Sequence, residues 1–171
     1  GAIEATEDNL GWTPLHMATR YNEVPAIVTA LLDRWADIEA KDEQGWTSLH
    51  VATDCGNQAV VKVLLDRGAD IEAKNDRGWT SLHVAAAVDG DSSIVAALLD
   101  VGANIEAKDK QGWTPVHFAA GMNQEPSVLT VLLDRGANVQ AKTNDGEIPL
   151  DVAMTRGNTA AIQVLRGHAA S

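Results

Sequence analysis

The octet GWTPLHMA at residues 11–18 does not stay unique. It returns as GWTSLHVA at 45–52 and again at 78–85, as GWTPVHFA at 112–119, and decays to GEIPLDVA at 146–153. The leading glycines are separated by 34, 33, 34 and 34 residues. A second phrase keeps step with the first: LLDRWADIEAKD at 31–42, LLDRGADIEAKN at 64–75, LLDVGANIEAKD at 98–109 and LLDRGANVQAKT at 132–143. Self-similarity at a fixed period of this length dictates an array. No single unit can bury its own apolar face, so neighbours must stack to share one core. A side chain that recurs once per unit is therefore scaffold first and chemistry second.

Each unit also parses locally. Thr13, Thr47, Thr80 and Thr114 are suitable helix N-caps, and Pro14 and Pro115 stand where a first helical residue tolerates proline. The short helix that follows carries Leu15, Leu49, Leu82, Val116 and Leu150 inward. A second helix shows apolar pairs one turn apart: Ile27/Val28 with Leu31/Leu32, and Val60/Val61 with Leu64/Leu65. Ile94/Val95 with Leu98/Leu99 and Val128/Leu129 with Leu132/Leu133 repeat the arrangement, one apolar stripe per helix. Gly68, Gly102 and Gly136 follow where a left-handed helix terminus is wanted. The rest of each unit reads as an extended excursion that turns back at a glycine.

The pattern resembles the ankyrin repeat, whose signature is T-P-L-H-x-A in a unit of about 33 residues. The resemblance covers essentially the whole chain. It implies an all-α repeat solenoid, with ankyrin helix pairs joined by β-hairpin-like finger loops, and a concave surface lined by fingers and inner helices. Residues 1–171 are then one domain. Its units fall at about 8–41, 42–74, 75–108, 109–142 and 143–171, and 1–7 read as the remnant of a preceding finger.

Composition excludes several classes of function. The length of 171 residues suits one domain with a substantial core, and 45 % apolar with 22 % charged residues is ordinary for a globular protein. The formal charge of −11 repels polyanions, so neither nucleic acid nor an anionic membrane surface is an expected partner. No apolar run reaches the roughly 18–20 residues that span a bilayer, and Gly1-Ala2-Ile3-Glu4 does not open a signal peptide. The single cysteine, Cys55, precludes an intrachain disulfide and fits a reducing compartment. An intracellular, cytoplasmic location is the expectation, with delivery into a host cell as the alternative. Without a flanking basic group, Cys55 reads as inert.

The histidines carry the sharpest catalytic possibility and lose it to the repeat. His16, His50, His83 and His117 recur once per unit, which sets copies roughly 8–10 Å apart, the spacing of packed helices. Ligands to one zinc must all lie about 2 Å from it, so this column cannot share a metal. A triad needs one special histidine with its own nucleophile, and these copies are interchangeable. The resemblance implies a structural histidine that bonds hydroxyl and backbone groups within and between units. His168 has no visible companion. No catalytic residue, metal ligand or cofactor site is expected, and a hydrolase using His16 or Cys55 stays only as a rival to be tested.

Partner-binding residues are sought elsewhere. Trp12, Trp46, Trp79 and Trp113 follow the finger glycine, a position the resemblance places on the concave side. They could form an aromatic ladder for a partner, since tryptophan is enriched in hot spots, or pack finger against finger. The units differ at finger tips Asn9-Leu10, Glu43-Gln44, Asp76-Arg77, Lys110-Gln111 and Asn144-Asp145. They also differ where the first helices end: Arg20-Tyr21, Asp54-Cys55, Ala87-Val88, Gly121-Met122 and Thr155-Arg156. By resemblance these are contact positions. Apolar Val88 and Met122, with Glu43, Asp54 and Asp76, suit a basic and partly apolar helix or strand. Lys41, Lys74, Lys108 and Lys142 follow Glu39, Glu72, Glu106 and Gln140 by two residues and are expected to form a solvated ion-pair network. In many ankyrin proteins the Glu39-type position is an asparagine that is hydroxylated; Glu and Gln here do not carry that over.

Four departures complete the reading. Units one, three and four gain a residue between helices, in RYNEVP, AVDGDSS and GMNQEP, and each insertion ends in helix-starting chemistry at Pro25, Asp91-Ser92-Ser93 and Pro126. Such insertions mark either a functional face or drift in an exposed loop. Trp35 replaces the repeat glycine and is expected to fold over the open N-terminal end. The opening GAIEATEDNLG resembles a finger without its helices, as in an excised fragment or a cap. The last unit reads as a true end, polarised by Glu147, Asp151, Gln163 and Arg166. Uneven insertions, Trp35 and Cys55 argue against a designed consensus array. The functional expectation is a monomeric protein-binding module without catalysis. The alternative is a targeting or regulatory segment of a larger protein, such as a bacterial host-directed effector.

Overall fold

The computed structural model describes residues 11–21, 24–88 and 92–168. The remnant at 1–7, Asn9-Leu10 and Asp91 lie outside them, as do parts of the insertions in units one and three. Among the described residues ten helices alternate as short inner and longer outer members. The pairs are α1 (Pro14–Tyr21) with α2 (Pro25–Asp33), α3 (Ser48–Asp54) with α4 (Gln58–Asp66), and α5 (Ser81–Ala87) with α6 (Ser93–Asp100). They continue as α7 (Pro115–Gly121) with α8 (Pro126–Asp134), and α9 (Pro149–Arg156) with α10 (Thr159–His168). Inner helices α1, α3, α5, α7 and α9 stack in order, and so do outer helices α2, α4, α6, α8 and α10.

The capping chemistry lies where the sequence puts it. Thr47, Thr80 and Thr114 are extended N-caps, while Pro14, Pro25, Pro115, Pro126 and Pro149 open helices. Gly68, Gly102 and Gly136 have φ of +85°, +97° and +88° just past their outer helices. One continuous core runs between the two helix rows. Leu15, Leu49, Leu82 and Val116 come from the inner row, with Val61, Val95, Leu98 and Leu132 from the outer, all within 1 % of full burial. Each such side chain contributes about 1.5–3 kcal/mol. Six members of the expected stripes are not fully buried, Leu31, Leu32, Leu65 and Leu99 among them. Ile27 is 43 % exposed although its counterpart Val60 is fully buried, because no described helix pair packs outside α2. Leu150 is half-buried at the other end.

The fingers are hairpin-like turns without assigned strands among the described residues. In each, a backbone N–H reaches across four residues: Asp42 to Trp46, Asn75 to Trp79, Asp109 to Trp113 and Thr143 to Glu147. One further bond joins each finger to the next, from Asp76 N–H to the Gln44 carbonyl, Lys110 to Arg77 and Asn144 to Gln111. Glycine is needed at Gly45 and Gly112 for two reasons. Their φ values are +77° and +78°, and a Cβ would stand 2.8 Å from the next finger's backbone nitrogen.

Trp35 corrects one expectation. It keeps the left-handed backbone of the glycine it replaces, at φ +75°, and is 77 % exposed, so it is not folded down over the described helices. A Cβ at Gly68, Gly102 or Gly136 meets no atom within 4 Å, so this corner of the unit points into solvent. The Cβ of Trp35 has room there, and the indole stands mostly in solvent.

The Glu–Lys network is a second correction. Glu39, Glu72 and Glu106 accept at 2.7 Å from the N–H groups of Asp70, Asn104 and Asn138 in the following unit. Lys41, Lys74 and Lys108 donate at 2.8–2.9 Å to the carbonyls of Lys74, Lys108 and Lys142. None pairs with its neighbour among the described residues. Backbone groups of the next finger, otherwise without protein partners, take these charges as staples between units.

Candidate functional site

The fingers and the ends of the inner helices carry the sequence-selected side chains that vary from unit to unit. Beneath them lies the repeated histidine, whose partners define its state. His16, His50 and His83 place Nε2 at 2.9, 2.9 and 3.1 Å from the carbonyls of Trp46, Trp79 and Trp113, and His117 reaches that of Glu147 at 3.2 Å. A carbonyl only accepts, so Nε2 carries the hydrogen. Nδ1 then accepts: for His50 it takes the Thr47 N–H at 3.2 Å and the Thr47 hydroxyl at 2.9 Å. Both nitrogens are engaged and the side chain is fully buried. Burial lowers the pKa of His50 and His117 and brings that of His83 down to about 4, only partly offset by the carbonyl bonds. These rings are neutral struts joining one helix start to the next finger. Asp151 stands in the last unit, where its carboxylate accepts the Ile148 N–H at 3.1 Å in the manner of Nδ1. It has no donor for a following carbonyl.

The tryptophans are half-buried and do not stack on one another. Trp12, Trp46 and Trp113 lie 5.8–6.5 Å from the imidazoles of their own units. Trp79 and Trp113 both meet Phe118 edge-on, at 5.0 and 5.6 Å. The indole N–H of Trp12 donates to Asp42 and that of Trp79 to Asp109, each at 3.2 Å. Asp42 also accepts the Gln44 and Trp46 N–H groups at 2.8 Å. The ring therefore belongs half to the scaffold, with its remaining surface open. Arg77 lies over the Trp79 ring at 5.0 Å, and Arg20 lies 5.9 Å from the Trp12 centroid while pairing with Asp54 at 3.2 Å.

At the first finger interface these groups enclose an open pocket of about 310 Å³. Of the sequence-selected residues it brings together Trp12, Trp46, Gln44 and Asp54, with Arg20 and Tyr21. Asp42 and Val51 complete it; sequence reading passed over both because they recur or sit inside a helix. Glu43, Asp76, Arg77, Lys110 and Gln111 are exposed at the tips. Val88 and Met122 terminate α5 and α7 and do not line this pocket. Cys55 is exposed beside Arg20, and the protein packed around it pushes its thiol up, opposite to the activation a nucleophile requires.

The buried asparagines were missed altogether. Asn123 donates to the carbonyls of Ala86 and Val88 at 3.3 and 2.8 Å, and Asn158 to those of Ala120 and Asn123 at 3.1 and 2.7 Å. Each closes the carbonyl end of the preceding inner helix. An asparagine recurring just before the outer helix, at 57, 123 and 158, was the available signal.

Among the described residues no group of three or more acidic, histidine or cysteine side chains could hold a metal, and no helix is long and apolar enough to cross a membrane. Stacked helix pairs, inter-unit histidine bonds and stapled fingers define a helical-repeat solenoid. A family model described as ankyrin repeats (3 copies) matches residues 2–75 and 82–171, and the chain belongs to the ankyrin-repeat family. No curated protein matches it. Ankyrin repeats are in general protein–protein interaction modules and are typically not enzymes.

Proposed function

We propose that this chain is a non-catalytic module that binds a partner protein across its finger tips and inner helices, the concave side of the family fold. One observation carries the reading: successive tips are joined by backbone hydrogen bonds, with a side chain added at the last joint, where the Asn144 amide donates to the Lys110 carbonyl at 3.0 Å. Gln44, Arg77 and Gln111 each give a carbonyl, while Asp76 and Lys110 each give an N–H. Their exposed side chains are thus released from holding the fold together and are free to differ. The five units proposed from the sequence serve as the frame. Within the proposal, Trp46, Trp79 and Trp113 contribute the open part of half-buried rings, and Glu43, Asp54, Val88 and Met122 border them.

Truncating the tryptophans would confound binding with stability, so the tips are the better test. A variant carrying Gln44→Ala, Arg77→Ala, Lys110→Ala and Gln111→Ala is compared with one altered on the outer helices, Lys62→Ala and Thr130→Ala. Both should fold as wild type by circular dichroism. Partners captured by wild type and identified by mass spectrometry should be lost from the tip variant alone. Loss from the outer variant with retention by the tip variant would overturn the assignment.

A further inference from the structure

The column of tryptophans is unevenly covered: among the described residues Trp46 and Trp113 carry no cation over the ring, and of these two Trp46 lines the pocket. Trp79 has the guanidinium of Arg77 over its ring at 5.0 Å, supplied by the residue two positions earlier. Trp12 has Arg20 at 5.9 Å. At Trp46 the residue two positions earlier is Gln44, and no cation of the described chain covers that ring. Trp46 instead lines the 310 Å³ pocket with Trp12, Tyr21, Asp42 and Asp54. Asp42 accepts from neutral N–H groups, and no cation among the described residues pairs with it.

We propose that this pocket receives one arginine side chain of a basic partner segment, its guanidinium lying on Trp46 and pairing with Asp54 in place of Arg20. This rests on the finger-face reading and names the partner chemistry at that face. Three observations choose arginine. The chain itself sets guanidinium against two of its other repeat tryptophans. A planar guanidinium both stacks on indole and bonds carboxylate, where an ammonium acts as a point charge. The chain also bears a formal charge of −11, which favours approach of a basic segment. The volume, at the low end for ligand pockets, holds one side chain rather than a folded element. Arg20 is the internal competitor, and its pair with Asp54 is half-exposed and easily exchanged.

The test follows the tryptophan indole N–H signals by NMR while N-acetyl-arginine amide is added to the full chain. N-acetyl-citrulline amide is the neutral match, and N-acetyl-lysine amide the second cation. Arginine should shift the Trp46 and Trp12 signals and leave Trp79 and Trp113 in place, while citrulline does nothing. Arg20→Ala should tighten arginine binding about two- to fivefold, the worth of an exposed ion pair, and Asp54→Asn should weaken it similarly. Equal shifts with citrulline, a stronger response to lysine, or a response centred on Trp79 would each overturn the proposal. The failure is separable from that of the finger-face reading. Partner loss in the tip variant would still stand if arginine had no effect, and an arginine effect would stand if the tip variant kept its partners.

Discussion

At the residue scale, repetition separates side chains fixed by the fold from those free of it. His50 and Thr47 are legible because the pair returns in four of the five units, and a cap with its acceptor is the bland explanation for a recurring Thr-x-x-His. Trp35 was legible as an anomaly but not in its outcome. Sequence shows that glycine is missing, not which way the corner points. With 77 % of Trp35 exposed, the indole buries little that could offset the strain of its backbone. A side chain in the left-handed region costs roughly 1–2 kcal/mol. Glycine's greater freedom in the unfolded chain returns part of this. Trp35→Gly should therefore stabilise the fold by about 1 kcal/mol, read as a higher urea midpoint. A lower midpoint would show that the exposed ring contributes contacts absent from this arrangement.

At the element scale, what holds helix pairs together was only partly visible in the sequence. Apolar stripes marked the outer helices of the first four units and glycine stops three of their ends, because both follow from period and position, while the pairing itself came from the family resemblance. Glu39 and Lys41 were misread as an ion pair because sequence presents neighbours along the chain, whereas their partners are backbone groups of the following unit. The asparagines escaped notice for a related reason. Asn158 acts on both sides of a joint: its amide donates to Ala120 and Asn123, and its oxygen accepts the Ala161 N–H at 3.1 Å near the start of α10. Asn158 is 1 % exposed, so Asn158→Ala leaves buried backbone groups unpaired. Each such group costs about 1–3 kcal/mol. The loss should be at least about 2 kcal/mol and should appear first as faster amide exchange in α10 and at the end of α7. Uniform exchange across all ten helices would instead indicate global weakening, and the joint would not be local.

At the scale of the whole molecule, acidity and the buried histidines make opposing demands on pH. A chain with formal charge −11 repels itself, so protonation on acidification should ease folding. The histidine column acts the other way. Its folded rings are held neutral, below the usual value near 6.5, so the unfolded chain takes up protons first as pH falls. Stability carried by the column is complete above about pH 6.5 and is lost on the way down toward the folded value, about 4 for His83. Between pH 7 and 5 few carboxylates change state, so the relief of repulsion is small and the histidines decide the sign. For His83 alone the loss at pH 5 is about 2 kcal/mol, with His50 and His117 adding in the same direction. The urea midpoint should therefore fall from pH 7 to 5 despite the acidic composition. His83→Gln should lower the midpoint at pH 7 by removing a strut, yet flatten the fall by the share His83 carries. That difference between two slopes isolates titration from packing. If the variant keeps the wild-type slope, His83 is not the proton acceptor, and if the wild-type midpoint rises on acidification, charge repulsion rather than the histidine column governs this solenoid.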